Sequence, residues 1–484
     1  MGHEGSLYVG GAWSAPTTDE TIEVTSPHTE EVIGTAPSAG PDDIDRAVTA
    51  ARAAVDDGPW PRLAPAERIH AIERLAAAYG EHRRDMAEVI TAEMGAPISF
   101  SKLAQATLPW AMLGAFAGVA RAHPWEEVRT GFYGQDVTVR REAVGVVAAV
   151  VPWNMPQFSI MVKLAPALLA GCAVIVKPAA ETPLDALLLA EVIDGLDLPP
   201  GVVSVLPGGR EAGAHLVAHP GLDKVAFTGS TAAGRQVAAA CAANLTRVSL
   251  ELGGKSAAIV LDDADPEVVA AGARVAGLMN GGQACVAQTR YLVPESRYDE
   301  MVDALATSLD TLVVGDPGDR ATEIGPLVSR RQQERVRDYI AIGEKEGGRL
   351  VVGGTDLPDG VDRGWYVRPT LFADVTNDMR IAREEIFGPV LSVIPYGDEG
   401  DAVQIANDSD YGLSGSVWTA DVDRGLAVAR RVRTGTFGVN EPYSMDPAGP
   451  FGGVKASGSG REFGPEGLDE FLDTKAISVA RPRS

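Results

Sequence analysis

Cysteine is scarce in this chain. The three that occur in 484 residues, Cys172, Cys241 and Cys285, form no Cys-x-x-Cys pair, so neither a disulfide framework nor a zinc ribbon is implied, and a reducing cytoplasm is the expected home. Positive charge is short as well: 42 Lys and Arg stand against 66 Asp and Glu, a formal net charge of −24. Such a balance disfavours nucleic acid or an anionic membrane as partner. The longest apolar runs, 143–153 and 164–176, are too short, or broken by Pro166, for a bilayer span. The first ten residues lack the basic-then-apolar order of a signal peptide. No cysteine cluster offers itself to a metal and no solenoid repeat is present, so a soluble, metal-free protein is expected.

What is abundant is glycine. Its 54 residues make about 11% of the chain against a usual ~7%, which indicates tight turns and close backbone approaches to a ligand. At 484 residues the chain exceeds one hydrophobic core, and two or three structural units are expected. Residues 7–13 and 21–33 alternate as short strands joined through Ser26-Pro27, read as an outer layer. Apolar spacings of three and four over 44–55 and 65–80 predict amphipathic helices, continuing to about 120. Between 124 and 141 the pattern of Val128, Phe132, Tyr133, Val137 and Val139 reads as a hairpin.

From Glu142 a strand-helix rhythm sets in. Strands are expected at 144–151, 173–176, 202–206, 224–227 and 247–250, with helices at 157–170, 183–193, 211–218 and 231–242 between them. Continuous Val, Ile and Ala in the strands indicate a doubly wound parallel sheet covered on both faces. Ligands of such sheets sit beyond the carboxyl ends of the strands, here Pro152-Trp153-Asn154, Lys177-Pro178, Thr228-Gly229-Ser230 and Glu251 to Gly254. A second α/β unit follows, with strands at 257–261, 289–293, 391–395, 415–419 and 436–439. The Gly- and Ser-rich stretch 449–460 reads as a loop over a site, and 468–480 as a strand added elsewhere.

Cys285 stands in Leu278-Met-Asn-Gly-Gly-Gln-Ala-Cys285, where Gly281 and Gly282 allow close approach to the main chain. A lone cysteine is more often a small buried hydrophobe than a nucleophile, and a free thiol is mostly protonated at neutral pH. All seven histidines lie at or before His219, so a carboxylate, backbone N–H groups and a cationic cofactor ring are the available activators. Glu251, at a strand end before Gly253-Gly254, has the position of a general base whose pKa burial would raise, or of a plain surface turn. Gly229 to Gly234 follows a strand and opens a helix, a phosphate-binding arrangement or a capped turn. It is neither a dinucleotide Gly-x-Gly-x-x-Gly nor a Walker loop.

Five segments, 250–256, 278–285, 152–154, 229–234 and 384–389, resemble the aldehyde dehydrogenase superfamily in order and approximate spacing, and the likeness covers essentially the whole chain. It implies an α/β fold: a Rossmann-like cofactor domain (1–125 and 142–252), a second α/β catalytic domain (253–453) and a small β extension for oligomerisation (126–141 and 466–484). By the same resemblance Cys285 is the nucleophile, Asn154 and the Cys285 N–H hold the oxyanion, and Glu251 activates the water that releases the acid. Trp153, Lys177, Ala180, Gly229, Ser230, Gly234, Leu252, Glu385 and Phe387 match cofactor-contacting positions. Ala180 departs from the Glu found three residues after the lysine in many NAD-preferring relatives; NAD is still expected, with Glu181 one residue later, and NADP is the alternative. Met155, Val162, Ala284, Val286, Met445 and Phe451 would border the substrate, and the flexible, unbranched Met155 and Met445 suggest a medium-to-large hydrophobic aldehyde. A homodimer or homotetramer is expected. The competing readings are a CoA-acylating dehydrogenase and a non-catalytic binding protein of the same fold.

Overall fold

The computed structural model describes residues 2–3, 5–442 and 445–479. Five parallel strands form the middle of an eight-stranded sheet, in the spatial order Arg247–Glu251, Lys224–Thr228, Val146–Val150, Ala173–Lys177 and Val203–Val205. Val146 to Ala149 and Ala173 to Val176 are fully buried, which is why these strands read as unbroken apolar runs rather than alternating ones. From Val146–Val150 the chain first builds outward on one side, then returns to place Lys224–Thr228 on the other. The crevice of this switch point lies at the two adjacent strand ends, Pro152 to Asn154 and Thr228 to Ser230.

Both edges of this sheet depart from expectation. Leu7–Val9 pairs with Ala12–Ser14 and, through Tyr8, with Val205, so 7–13 extends the main sheet instead of forming an outer layer. Leu7 and Tyr8 are buried there, and that burial decides the placement. Thr21–Thr25 and Val32–Pro37 form a separate hairpin. At the far edge Gly458–Ser459 pairs with Leu250 and Glu251, which turns part of the anticipated loop 449–460 into a strand beside Glu251.

A second, seven-stranded sheet has the order Arg349–Val352, Thr370–Ala373, Val390–Tyr396, Gln288–Pro294, Ser256–Val260, Gly415–Trp418, Gly438–Val439. Its first two members were not anticipated: four residues each in a polar stretch give too short a pattern to register. A three-stranded sheet joins Glu126–Thr130 and Asp136–Ala143 to Leu472–Ser478, register Leu472↔Ala143 through Ser478↔Val137. Residues 480–484 of the expected oligomerisation segment lie outside the described residues.

A longer apolar stretch than either of those named from the sequence, Ile98–Ala122, is long and apolar enough to cross a bilayer by composition. Half of it is buried inside the protein, packed on the helices Pro65–Met94 and Pro156–Ala170, the geometry of a core helix.

Helix Pro65–Met94 is also tied to helix Leu184–Asp194 through a buried carboxyl. The Glu93 carboxylate accepts the N–H groups of Leu184 (2.9 Å) and Asp185 (3.0 Å), in the open first turn of helix Leu184–Asp194. Asp185 accepts from Gln157 Nε2 at 2.7 Å, and both carboxyls are buried. Burial pushes Glu93 well above the ordinary carboxylate range and Asp185 to about 7. A raised folded pKa means stability present in acid and lost as pH rises through the folded value. The Tm of the wild type should therefore fall between about pH 5 and pH 8, and Asp185→Asn, which removes one of the two raised carboxyls, should flatten that slope in thermal melts. An identical slope in the variant would show that Asp185 does not set it.

Candidate active site

Helix Pro266–Ala276 ends ahead of the single turn Met279–Gly282, where Asn280, Gly281 and Gly282 have φ of 56°, 65° and 73°. A Cβ on Gly282 would lie 2.2 Å from the Gly388 carbonyl, so only glycine passes there. The turn is tied down by Gln283, whose Nε2 donates to Asn280 O (3.0 Å) and whose Oε1 accepts from Val328 N (3.0 Å). Two residues later Cys285 is partly exposed, whereas Cys172 and Cys241 are buried. Asn154, in the loop after Val146–Val150, reaches this turn and donates from Nδ2 to Gln283 O at 2.9 Å.

A cavity of 450 Å³ opens at the switch point. Cys285, Asn154 and Glu251 share its wall with Trp153, Gly229, Ser230, Leu252, Glu385 and Phe387. Glu251 is 5% exposed, and among the described residues its Oε2 has no hydrogen-bond partner. Burial first, then the charge of Glu462, hold its carboxyl well above the usual range, against the opposing pull of Lys163 and Arg461. Lys163 spans Glu462 and Thr228 Oγ1, 2.6 Å to each. The Cys285 thiol is pushed up to about 12 by burial and then by Glu251, Glu385 and Glu462, so it rests protonated.

The remaining wall suits a dinucleotide. Helix Thr231–Asn244 points its N-terminus into the cavity through Thr231 and Ala232; Ser230 caps Ala233 N at 3.3 Å, and no acid stands in the first turn, so N–H groups and helix dipole face phosphate unopposed. Trp153 and Phe387 meet edge to face at 5.4 Å. Glu385 accepts from Gly254 N at 3.0 Å, and burial raises it to about 7. Gly234 underlies this corner, where a Cβ would lie 2.5 Å from Leu252.

Lys177, Ala180 and Gly234 do not line this cavity. Lys177 is buried, pushed down to about 8 by desolvation, and donates to Gly208 O (2.6 Å) and Pro178 O (3.1 Å). Glu181 accepts from Arg331 at 3.2 Å. Gln332 and Arg335 were missed in the sequence yet reach the cavity, and Arg335 donates to the Glu385 and Ile386 carbonyls. Their run Arg330-Arg-Gln-Gln-Glu-Arg335 looks like any solvated helix face, so no local signal marks them.

Met155, Val162, Ala284, Val286 and Phe451 are buried members of the main apolar core, against which Cys285 and Met445 pack; neither they nor Met445 line the 450 Å³ cavity. Phe158 and Phe463 join them, with ring centroids 5.7 Å apart, and Phe463 lies 5.7 Å from Phe451. The core around Phe451 is thus more aromatic than the six expected residues suggest. His215 and His219, spaced four apart like metal ligands, both face Asp45 Oδ1 at 2.7 and 3.4 Å. His219 Nδ1 accepts from Gly221 N, which leaves the proton on the Nε2 that faces Asp45.

The same fold recurs throughout its length in solved dehydrogenases. A Mycobacterium tuberculosis aldehyde dehydrogenase complexed with NAD+ is 48% identical, with a TM-score of 0.97 over 99% of each chain. A mutant of aldehyde dehydrogenase C from Pseudomonas syringae, complexed with NAD+ and octanal, is 41% identical, with a TM-score of 0.95 over 98% of this chain and 97% of that one. The geranial dehydrogenase of Castellaniella defragrans is 47% identical over 97% of this chain and 98% of its own. The profile of the Aldehyde dehydrogenase family matches residues 13–477. The chain belongs to the aldehyde dehydrogenase family.

Glycine is required at one further point. A Cβ on Gly452 would lie 2.8 Å from Glu251 Oε1 and 2.7 Å from Gly460 O, so Gly452→Ala should displace the carboxylate. Turnover should fall about ten-fold or more with the KM for cofactor little changed; a wild-type kcat would show that Glu251 has room to spare.

Proposed function

We propose that this protein oxidises a medium-to-large hydrophobic aldehyde to its carboxylic acid with NAD. The observation that carries the reading is the convergence of Cys285, Asn154 and Glu251 on one cavity beside the open helix N-terminus. NAD, when bound, supplies the hydride acceptor and a positively charged ring near the thiol. Glu385, Trp153, Phe387, Ser230 and the first turn of Thr231–Asn244 would hold it, with Lys177 toward the adenosine end. The NAD+ complexes of the two solved relatives support this choice. NADP is the second reading, favoured by Ala180 in place of a carboxylate and by Glu181 being engaged with Arg331.

Cys285 Sγ bonds to the carbonyl carbon as its proton passes to the Glu251 carboxylate and on to solvent, and the alkoxide lies between the Asn154 amide and the Cys285 N–H, where fixed donors favour the developing charge. Loss of hydride from that carbon leaves a thioester on Cys285. Glu251, held above the ordinary carboxylate range, then takes a proton from water as its oxygen attacks; the C–S bond breaks and the acid departs. The apolar cluster around Met155, Val162 and Phe451 favours a hydrophobic substrate, in keeping with the geranial and octanal named for the relatives. The division into cofactor domain, catalytic domain and oligomerisation segments belongs to the same reading. Phe132 and Tyr133, 94% and 84% exposed on the hairpin, support a homodimer or homotetramer, and the cysteine and charge content a cytoplasmic setting.

Glu251→Gln should give a stoichiometric burst of NADH followed by turnover at least a hundred-fold slower, an order of magnitude set by loss of a general base, and Cys285→Ala should give no burst. For the wild type, kcat should fall as pH drops through the raised pKa of Glu251, in a range above that of a free carboxylate. Specificity constants should rise from acetaldehyde to octanal and geranial; a maximum for acetaldehyde or betaine aldehyde would end the hydrophobic reading. Product that required CoA would replace it with the acylating enzyme. A wild type silent with both cofactors across the panel would leave a binding protein.

A further inference from the structure

Between Ile98–Phe100 and Leu108–Ala122 the helix widens into a π turn, Ser101–Thr107, in which Leu108 N–H donates to Leu103 O, five residues back. An extra residue per turn swings the side chains after it onto a new face, and such turns recur at functional sites. Here Ala104, Gln105 and Ala106 are buried in succession beside the exposed Leu103. Gln105, fully buried, donates from Nε2 to the main-chain carbonyl of Asn154 at 2.8 Å. Because a carbonyl only accepts, the amide orientation is fixed by chemistry. Asn280 Nδ2 donates to the same oxygen at 3.0 Å, while the Asn154 side chain donates to Gln283 O at 2.9 Å.

We propose that Gln105 is a positioning residue for the oxyanion-holding Asn154: the π turn delivers its amide to the Asn154 carbonyl, where with Asn280 it fixes that residue relative to the nucleophile's turn. The inference rests on the role of Asn154 proposed above. Asn154 lies in a loop, ahead of helix Pro156–Ala170, so no regular secondary structure holds its carbonyl. Two amide donors from separate segments set the plane of that peptide and with it the direction in which the Asn154 side chain leaves the backbone. The third contact, at Gln283, lies two residues from Cys285. Asn154 is thereby held from both ends, and an oxyanion donor must be held to a fraction of an ångström to be effective.

The experiment compares Gln105→Ala, the near-isosteric Gln105→Met and Gln105→Glu with Asn154→Ala in the full-length enzyme. Removing an oxyanion donor outright costs about a hundred-fold or more in kcat, so a residue acting through that donor should cost less, about ten-fold. We expect that loss in Gln105→Ala and Gln105→Met, with the KM for NAD within about two-fold and the titratable Cys285 content unchanged. The same loss should appear in cofactor-free hydrolysis of p-nitrophenyl acetate, and adding Gln105→Ala to Asn154→Ala should cost little more. In Gln105→Glu only the protonated carboxyl can donate, so the ratio of variant to wild-type kcat should rise as pH falls. Full kcat per titratable thiol in Gln105→Met, or a flat ratio in Gln105→Glu, would reduce Gln105 to a packing role and overturn the proposal. Wild-type activity in Asn154→Ala would remove the oxyanion assignment itself, and this proposal with it.

Discussion

The buried hydrogen bond from Asn154 Nδ2 to Gln283 O is the link on which the site depends. It joins the loop after a central strand of the first sheet to the turn carrying Cys285 on the approach to Gln288–Pro294 of the second. A single bond of this kind contributes only about 1 kcal/mol net, so its importance is geometric. It brings together groups that two separately built sheets would otherwise hold apart, and the left-handed run Asn280 to Gly282 exists to make that approach possible.

Around this link the dominant force is desolvation. Glu251, Glu385 and Cys285 are all held with their charged forms disfavoured, and Lys177 is shifted the opposite way for the same reason. A thiol that rests protonated in so desolvated a setting is poorly reactive on its own. The proposed chemistry is therefore conditional: a cationic ring entering the cavity would change the balance that keeps the thiol neutral. Lys163, bridging Glu462 and Thr228, moderates the same field from behind Glu251.

How much was legible depended on where the signal resided. Val146–Val150 and Ala173–Lys177 announced themselves because double-sided burial writes continuous Val, Ile and Ala. Cys285, Glu251 and Asn154, which share one cavity, could be picked out because their segments resemble a known family; their local pattern alone left buried cysteine and surface turn open. Gln332 and Arg335 were not, since they reach the cavity from a helix whose sequence resembles solvated surface. The strand Gly458–Ser459, two residues in a glycine-rich stretch, exists only because the edge at Leu250 and Glu251 offers it partners.

By itself the sequence determined the parallel sheet, the strand-end ligand crevice and the acidic cysteine-poor character, because each follows from local pattern or composition. Only the tertiary structure decided that Leu7–Val9 closes an edge of the main sheet, that Gly452 crowds Glu251, and that a π turn at 101–107 sends Gln105 to Asn154. Those outcomes depend on which distant atoms meet at van der Waals range. A chain that makes contacts across hundreds of residues sets such meetings through the packing of whole layers, which no local pattern records.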